Sequence, residues 1–575
     1  MEKRSMVYDV RPISTLRELI ETSALDHASR TAFVLKKQKQ LTEVTYAAFL
    51  SDIKALSTIL NAKGFEGKKI AVIGKNSYEW ALTYLAVTSG VGVIVPVDKD
   101  LKKPEIENIL SLSGSCAVIY SDELEKTIAE IELPLEKIAM SNFPALLAEG
   151  REKRESGNRS YEKHKIDPFA LGILLYTSGT TGVAKGVMLS QFNICSNIVA
   201  VAKKVLVTPE DRTLSVLPLH HTYECMAGFL SILYAGGSIS YMSGLAHLLS
   251  DFREYKPTVF VAVPLLLKTI HTSLIKKMKA VRGGSAYLAV GKALAAVSGP
   301  LSGKVAGTVF HSVHAAFGGR LRAILCGAAA LDPDIQRDFE RLGFRILCGY
   351  GLTETSPVCL MHNDFVHTPG TVGLPVNGLR AKIIEPNDEG IGELAVKGAN
   401  VMLGYYNNPD ATAEVIDTDG YFHTGDLAKR DSVTGEYMIT GRIKNMIVIG
   451  NGKKIFPEEI EYLLEKCPAV SECMAYGSPS EKEENETVVT VKIFPNFAYL
   501  TEQGIIGAFD PEKASESENA DTVKVLEGYF KNLIKEDVNA HLPAYKAVRK
   551  IKLRYREFDK TSTRKIRRNS ADNLE

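Results

Sequence analysis

At 575 residues the chain is too long for one ordinary hydrophobic core, so at least two domains are expected. Its 69 basic and 68 acidic residues leave a net charge of +1, which removes any general pull toward nucleic acid or an acidic membrane. The eight cysteines form no CxxC pair and the amino terminus lacks the apolar stretch of a signal peptide, so a cytoplasmic globular protein with reduced thiols is expected.

In chain order, residues 69–74 (KIAVIG), 92–97 and 115–120 are short Val- and Ile-rich runs that end at turn residues and predict buried strands. Residues 78–88 and 103–112 between them carry helical spacing. Further strands are predicted over 171–176, 258–263 and 321–326. The alternation implies an α/β domain of mostly parallel sheets flanked by helices. Between Glu224 and Asp251 there is no Asp, Glu, Lys or Arg, long enough for a membrane span, but glycines and serines interrupt it. A buried helix, a Gly236-Gly237 turn and a buried strand is the better reading. Residues 280–316, rich in Ala, Gly and Val with only basic charges, predict a surface helix pair or flexible insertion, with peripheral membrane contact as the alternative.

The texture changes near Gly441. Pro457 opens a helix with Ile460, Leu463, Leu464 and Cys467 on one face, a strand is predicted over 486–494, and residues 510–521 read as a loop. An amphipathic helix through Val525, Phe530 and Ile534 and a strand over 548–558 follow. The expected division is a large domain over 1–442 and a small mobile α+β domain over 443–575.

The strand over 171–176 runs into Thr177-Ser178-Gly179-Thr180-Thr181-Gly182-Val183-Ala184-Lys185-Gly186. Glycines let backbone amides approach a ligand closely, hydroxyls surround them, and Lys185 adds positive charge, which together suit a polyphosphate. A following helix from Ser190 is expected to support the loop. The segment is not a Walker A loop, which needs glycine before the lysine and Ser or Thr after it, where Ala184 and Gly186 stand. No strand here is followed by GxGxxG either.

This loop resembles the YTSGTTGxPKG signature of the adenylate-forming superfamily, which includes acyl-CoA synthetases, peptide-synthetase adenylation domains and luciferases; Ala184 replaces the usual proline. The resemblance spans nearly the whole chain, because further motifs follow in the family's order. Residues 326–331 (CGAAAL) are similar to the family's adenine-pocket segment, which implicates Gly327 and Ala328. Residues 349–355 (GYGLTET) are similar to its YGxTE motif: Tyr350 and Gly351 would face adenine, Thr353 a phosphate, and Glu354 would hold Mg²⁺ on the ATP phosphates. YFHTGD (421–426) offers Asp426 to the ribose hydroxyls, and Arg442 would support the ribose and phosphate side. The resemblance also implies an interdomain hinge at Lys444, a coenzyme A-side loop at Gly450 and Gly452, and a catalytic lysine at Lys565, with Lys560 the weaker contender because Arg564 replaces the family's glycine. Residues 546–568 hold eleven basic and two acidic residues, charge that ATP and coenzyme A phosphates would use.

LPLHHTY (217–223) resembles the segment bordering the acyl pocket, with His221 at the family's recurrent histidine. Metal binding by His220 and His221 is disfavoured, because adjacent side chains seldom converge on one ion and no zinc-type spacing follows. The resemblance implies ATP, Mg²⁺ and coenzyme A as co-substrates, a carboxylic acid activated as acyl-AMP, and no nucleic-acid partner. LPLHHTYE and the apolar 280–316 insertion point to a long-chain fatty acid. An aryl-CoA ligase, a carrier-protein-loading ligase and a non-catalytic acyl- or nucleotide-binding relative are the alternatives.

Overall fold

The computed structural model describes residues 7–37, 40–177, 184–280, 293, 309–449, 453–480, 487–514, 519–560, 566–568 and 570–574. Most of the predicted 280–316 insertion, the loop residues Ser178, Gly179, Thr180, Thr181 and Gly182, the pair Gly450 and Gly452, and Lys565 lie outside the described residues.

The chain divides into two compact units. Unit one comprises Met1–Lys382, Ala395–His423 and Asp431–Met438; unit two comprises Ile383–Leu394, Thr424–Arg430 and Ile439–Glu575. Unit one holds two large sheets. The first runs Leu374–Pro375, Val358–Met361, Arg345–Gly351, Ala323–Cys326, Val259–Ala262, Arg212–Ser215, Ser238–Tyr241, Thr31–Lys37 and Gln40–Thr45. The second runs Gly404–Tyr405, Lys185–Ser190, Leu171–Thr177, Val93–Val97, Lys69–Ile73, Ala117–Tyr120 and Glu136–Ala139. Their centres are parallel: Ile70 pairs with Ile94 and Ala117, and Ile324 with Ile346 and Phe260. Strands buried on both faces need continuous apolar runs, which is why these six elements show so plainly in the composition. Helix Tyr78–Gly90 starts where Ser77 accepts the Trp80 amide, and twelve of its thirteen residues are buried.

The expected helix from Ser190 is present as Gln191–Ala202, with Ser190 as its N-cap. A strand not expected from the sequence precedes it: Lys185–Ser190 returns antiparallel to Leu171–Thr177, with Thr177 opposite Lys185. Val187 and Leu189 alternate into the core, so the stretch satisfies a strand's period. One expectation needs correction: the final strand is Lys550–Leu553, shorter than 548–558; beyond it the Arg554 amide makes a last bond to the Ile493 carbonyl while its side chain pairs with Asp572.

The uncharged stretch after Glu224 is a π-helix Glu224–Leu230, a helical turn Ser231–Tyr234, a glycine turn and strand Ser238–Tyr241. Among the described residues no helix is long and apolar enough to cross a membrane. In unit two, Val470–Pro479, Thr487–Pro495 and Lys550–Leu553 form a sheet, and its core includes Ile460, Val491 and Phe530.

Candidate active site

In unit one, the chemistry gathers where parallel strands end, the usual location of ligand sites in open α/β sheets. Strands Ala323–Cys326 and Arg345–Gly351 are neighbours, with Cys326 opposite Cys348, so Gly327–Ala328 and Gly349–Tyr350–Gly351 emerge side by side. A Cβ at 327 would stand 2.8 Å from the Tyr223 ring, and one at 351 only 1.7 Å from the Pro357 carbonyl oxygen. Ala328 takes φ 71°, a left-handed conformation that costs an alanine about 1–2 kcal/mol. Gly327 is thus required by the Tyr223 ring and Gly351 by the neighbouring backbone.

The turn Thr353–Thr355 is held from outside. Asn197 brackets Val358 through its backbone N–H and carbonyl, and Asn400 donates to the Thr355 carbonyl at 2.8 Å. Asn193, capped reciprocally with Ser190, donates to the carbonyls of Ala399 and Val401. The Met402 amide donates to the Glu354 carbonyl, and the Leu403 amide to that of Met188. This lattice brings together three side chains from distant segments. The Tyr405 hydroxyl donates to Glu354 Oε1 at 3.0 Å, and Lys185 Nζ stands 4.9 Å from the centre of the Tyr405 ring. Burial, then the charge of Glu354 and its hydrogen bond, push the Tyr405 phenol far above its ordinary range, so it stays a donor. Tyr405 carries no motif that the sequence reading could use.

Behind strand Arg345–Gly351, His362 accepts the Cys348 amide at Nδ1, 3.0 Å away; its Nε2 therefore carries the proton and donates to Thr371 Oγ1 at 2.9 Å. Burial, with the charges of His367 and Lys204, lowers its pKa from 6.5 to about 3. A base depressed in the folded state takes up protons preferentially when unfolded, so stability is expected to fall as pH drops from 6.5 toward 3. The loss is on the order of 4 kcal/mol across that window, at roughly 1.4 kcal/mol per pH unit. Denaturant titrations at stepped pH should show a shallower acid slope in His362→Gln; an unchanged slope would refute the assignment.

At the segment bordering the predicted acyl pocket, Asn76 clamps the turn, accepting from the Leu219 amide at 2.9 Å and donating to the Leu217 carbonyl at 2.7 Å. His220 and His221 have ring centres 4.2 Å apart, and His220 lies 3.4 Å from Asp98. A narrow cavity, partly open to solvent, is lined by Tyr84, Ile173, Leu175, Leu219, His220 and Met226. Below the turn, Glu224 is fully buried against Gly228, and burial pushes its carboxyl up to about 8.

In unit two, Arg442 Nε stands 2.8 Å from Asp426 Oδ1, and only 4% of the Asp426 side chain is exposed. Lys444 lies in the 3-10 turn Ile443–Asn445, just past Ile439 where the chain enters this unit for the last time. Among the described residues of the basic segment 546–568, five basic side chains are ion-paired within the unit. Lys546 meets Glu459, Arg554 and Arg556 meet Asp572, and Arg568 meets Glu461. Lys560 is bound by Glu472 and, at 2.8 Å, by Glu557. Burial works against its charge, but those carboxylates hold its pKa above the ordinary lysine value.

The AMP-binding enzyme family profile matches residues 20–406. The chain belongs to that family, and its class is the AMP-forming ligases. It is 26% identical over 80% of its length to the chloroplastic long-chain-fatty-acid–[acyl-carrier-protein] ligase AEE15 of Arabidopsis thaliana, covering 74% of that protein. It is 31% identical to long-chain-fatty-acid–CoA ligase 4 of Saccharomyces cerevisiae over 66% of its length, spanning 56% of that relative. It is 29% identical to feruloyl-CoA synthase of an Amycolatopsis species over 77% of the chain and 82% of the relative. The fold is similar to that of ATP-bound MatB from Rhodopseudomonas palustris, with TM-score 0.73, 23% identity and 98% coverage of both chains.

Proposed function

We propose that the protein is an AMP-forming acyl-CoA synthetase whose acid is a long-chain fatty acid. The observation that carries the adenylation step is the Lys185–Tyr405–Glu354 contact chain, which sets a cation and a carboxylate beside the stem of the 177–186 loop. A carboxylate oxygen of the acid attacks the α-phosphorus of ATP, the bond from that phosphorus to the bridging oxygen breaks, and pyrophosphate leaves. Both reactants are anions, so Lys185, the loop amides, Thr353 and Lys565 act by stabilising negative charge. No base is needed, since the acid is already ionised near neutral pH. Glu354 fits Mg²⁺: Tyr405 orients its Oε1, and this ion is held by one or two carboxylates plus substrate phosphates. Bound there, Mg²⁺ would offset phosphate charge. Tyr350, Gly327 and Ala328 receive adenine, and Asp426, oriented by Arg442, accepts from the ribose hydroxyls.

In the second half-reaction the coenzyme A sulfur attacks the acyl carbon, AMP leaves, and the thiol proton passes to solvent. Rotation of residues 443–575 about Lys444 would withdraw Lys565 and present the Gly450 and Gly452 face to the thiol.

The long-chain relatives from Arabidopsis and yeast support the choice of acid. A second reading, an aryl acid, is favoured by the feruloyl-CoA relative. AMP release with coenzyme A, measured across saturated fatty acids of graded length and a set of aryl acids, decides between them. A kcat/KM at least about tenfold higher for long chains, or about 1.4 kcal/mol in transition-state binding, is expected. Preference for an aryl acid, or thioester formation only on a carrier protein, overturns the proposal.

A further inference from the structure

Adjacent side chains point to opposite faces of an extended chain, which argues against a metal on His220 and His221. The structure removes that objection. Both histidines lie in a turn, and the end of strand Val93–Val97 delivers a third donor, Asp98, from 122 positions earlier in the chain. One donor atom from each of Asp98, His220 and His221 lies within 4.8 Å of the others. We infer that these three residues form a binding site for a divalent transition-metal ion of the zinc class.

Three observations carry the inference. His220 Nε2 stands 3.4 Å from Asp98 Oδ2, too far for a good N–H···O bond yet close to the separation of about 3.3–3.5 Å between two ligands of a tetrahedral zinc. His220 is only 8% exposed, and its Nε2 has no hydrogen-bond partner. A nine-tenths buried imidazole nitrogen in that condition lacks a partner that a metal would supply. The donors are also fixed in advance. The Asp100 amide donates to Asp98 Oδ1 at 2.9 Å, turning Oδ2 toward His220. Asn76 anchors the histidine turn, and the Cys225 amide donates to the His221 carbonyl. Two imidazoles and one carboxylate suit Zn²⁺, leaving a fourth position for water or an anion, and separate this site from the oxygen-only chemistry at Glu354.

Because His220 lines the cavity, an ion held there obstructs the acid; this consequence alone rests on the acid-pocket reading above. The test titrates the full chain with Zn²⁺ without substrates against a chromogenic chelator, and records the visible spectrum with Co²⁺. One equivalent with a tetrahedral Co²⁺ spectrum is expected in the wild type. Asp98→Asn and His220→Gln should each weaken binding by at least about tenfold. Unchanged unfolding midpoints for the metal-free variants would show that they fold. Absence of the equivalent, or retention of it by both variants, overturns the site. In the acyl-activation assay, Zn²⁺ should raise KM for the acid in the wild type and not in His220→Gln. Binding without that KM effect leaves the metal site standing and overturns the obstruction of the acid.

Discussion

Glu354→Gln is expected to lower ATP–pyrophosphate exchange by at least about two orders of magnitude, the loss that follows removal of one preorganised charge-stabilising group. The substitution keeps side-chain volume and removes the charge. Its effect on folding should be small, because the residue is only partly buried and its backbone is held independently by Met402. The amide could still accept from Tyr405, but a neutral oxygen is a poor ligand for a hard divalent cation. Tyr405→Phe supplies the contrast. It leaves the carboxylate in place and removes one donor at 3.0 Å, so exchange should fall by about tenfold or less. Exchange within tenfold of wild type in Glu354→Gln would sink the metal-binding role.

The second expected result separates two lysines. Lys565→Ala should lower adenylation by about two to three orders of magnitude. Lys560→Ala should act on stability instead. Its ammonium is paired with Glu472 and Glu557, and its side chain is 14% exposed. Removing it leaves the Glu472 carboxylate, itself 18% exposed, without that partner, a loss of about 1–3 kcal/mol. Pyrophosphate exchange and denaturant unfolding, measured on both variants, give the answer. If Lys560→Ala abolishes exchange at unchanged stability, the catalytic assignment moves to Lys560.

The sequence was most informative where local backbone demands are extreme. Six apolar runs named buried strands because a strand covered on both faces has no room for polar alternation. Gly351 and Gly327 stand out for a similar reason, since a Cβ at either would collide with a neighbour. Less visible was Lys185–Ser190, whose six residues follow a Ser/Thr/Gly loop and could as well have entered a helix; only pairing with Leu171–Thr177 makes them a strand. The hairpin of Thr31–Lys37 and Gln40–Thr45 was also missed, because much of Gln40–Thr45 is exposed and carries no apolar run.

Composition and motif order alone determined the class of chemistry: a phosphate loop without Walker spacing, followed by motifs matching one family's order. Tertiary structure decided which side chains meet. Tyr405 reaches Glu354 across 51 positions, and Asp98 reaches His220 across more than a hundred. Neither encounter leaves a periodic trace, because each depends on how two sheets end beside one another. The same limit applies to charge: the eleven basic residues within 546–568 read as one anion-binding surface, whereas in the fold several of them meet carboxylates from other segments. A local motif records what the backbone requires at one point, while a contact between distant residues exists only once packing has brought them together.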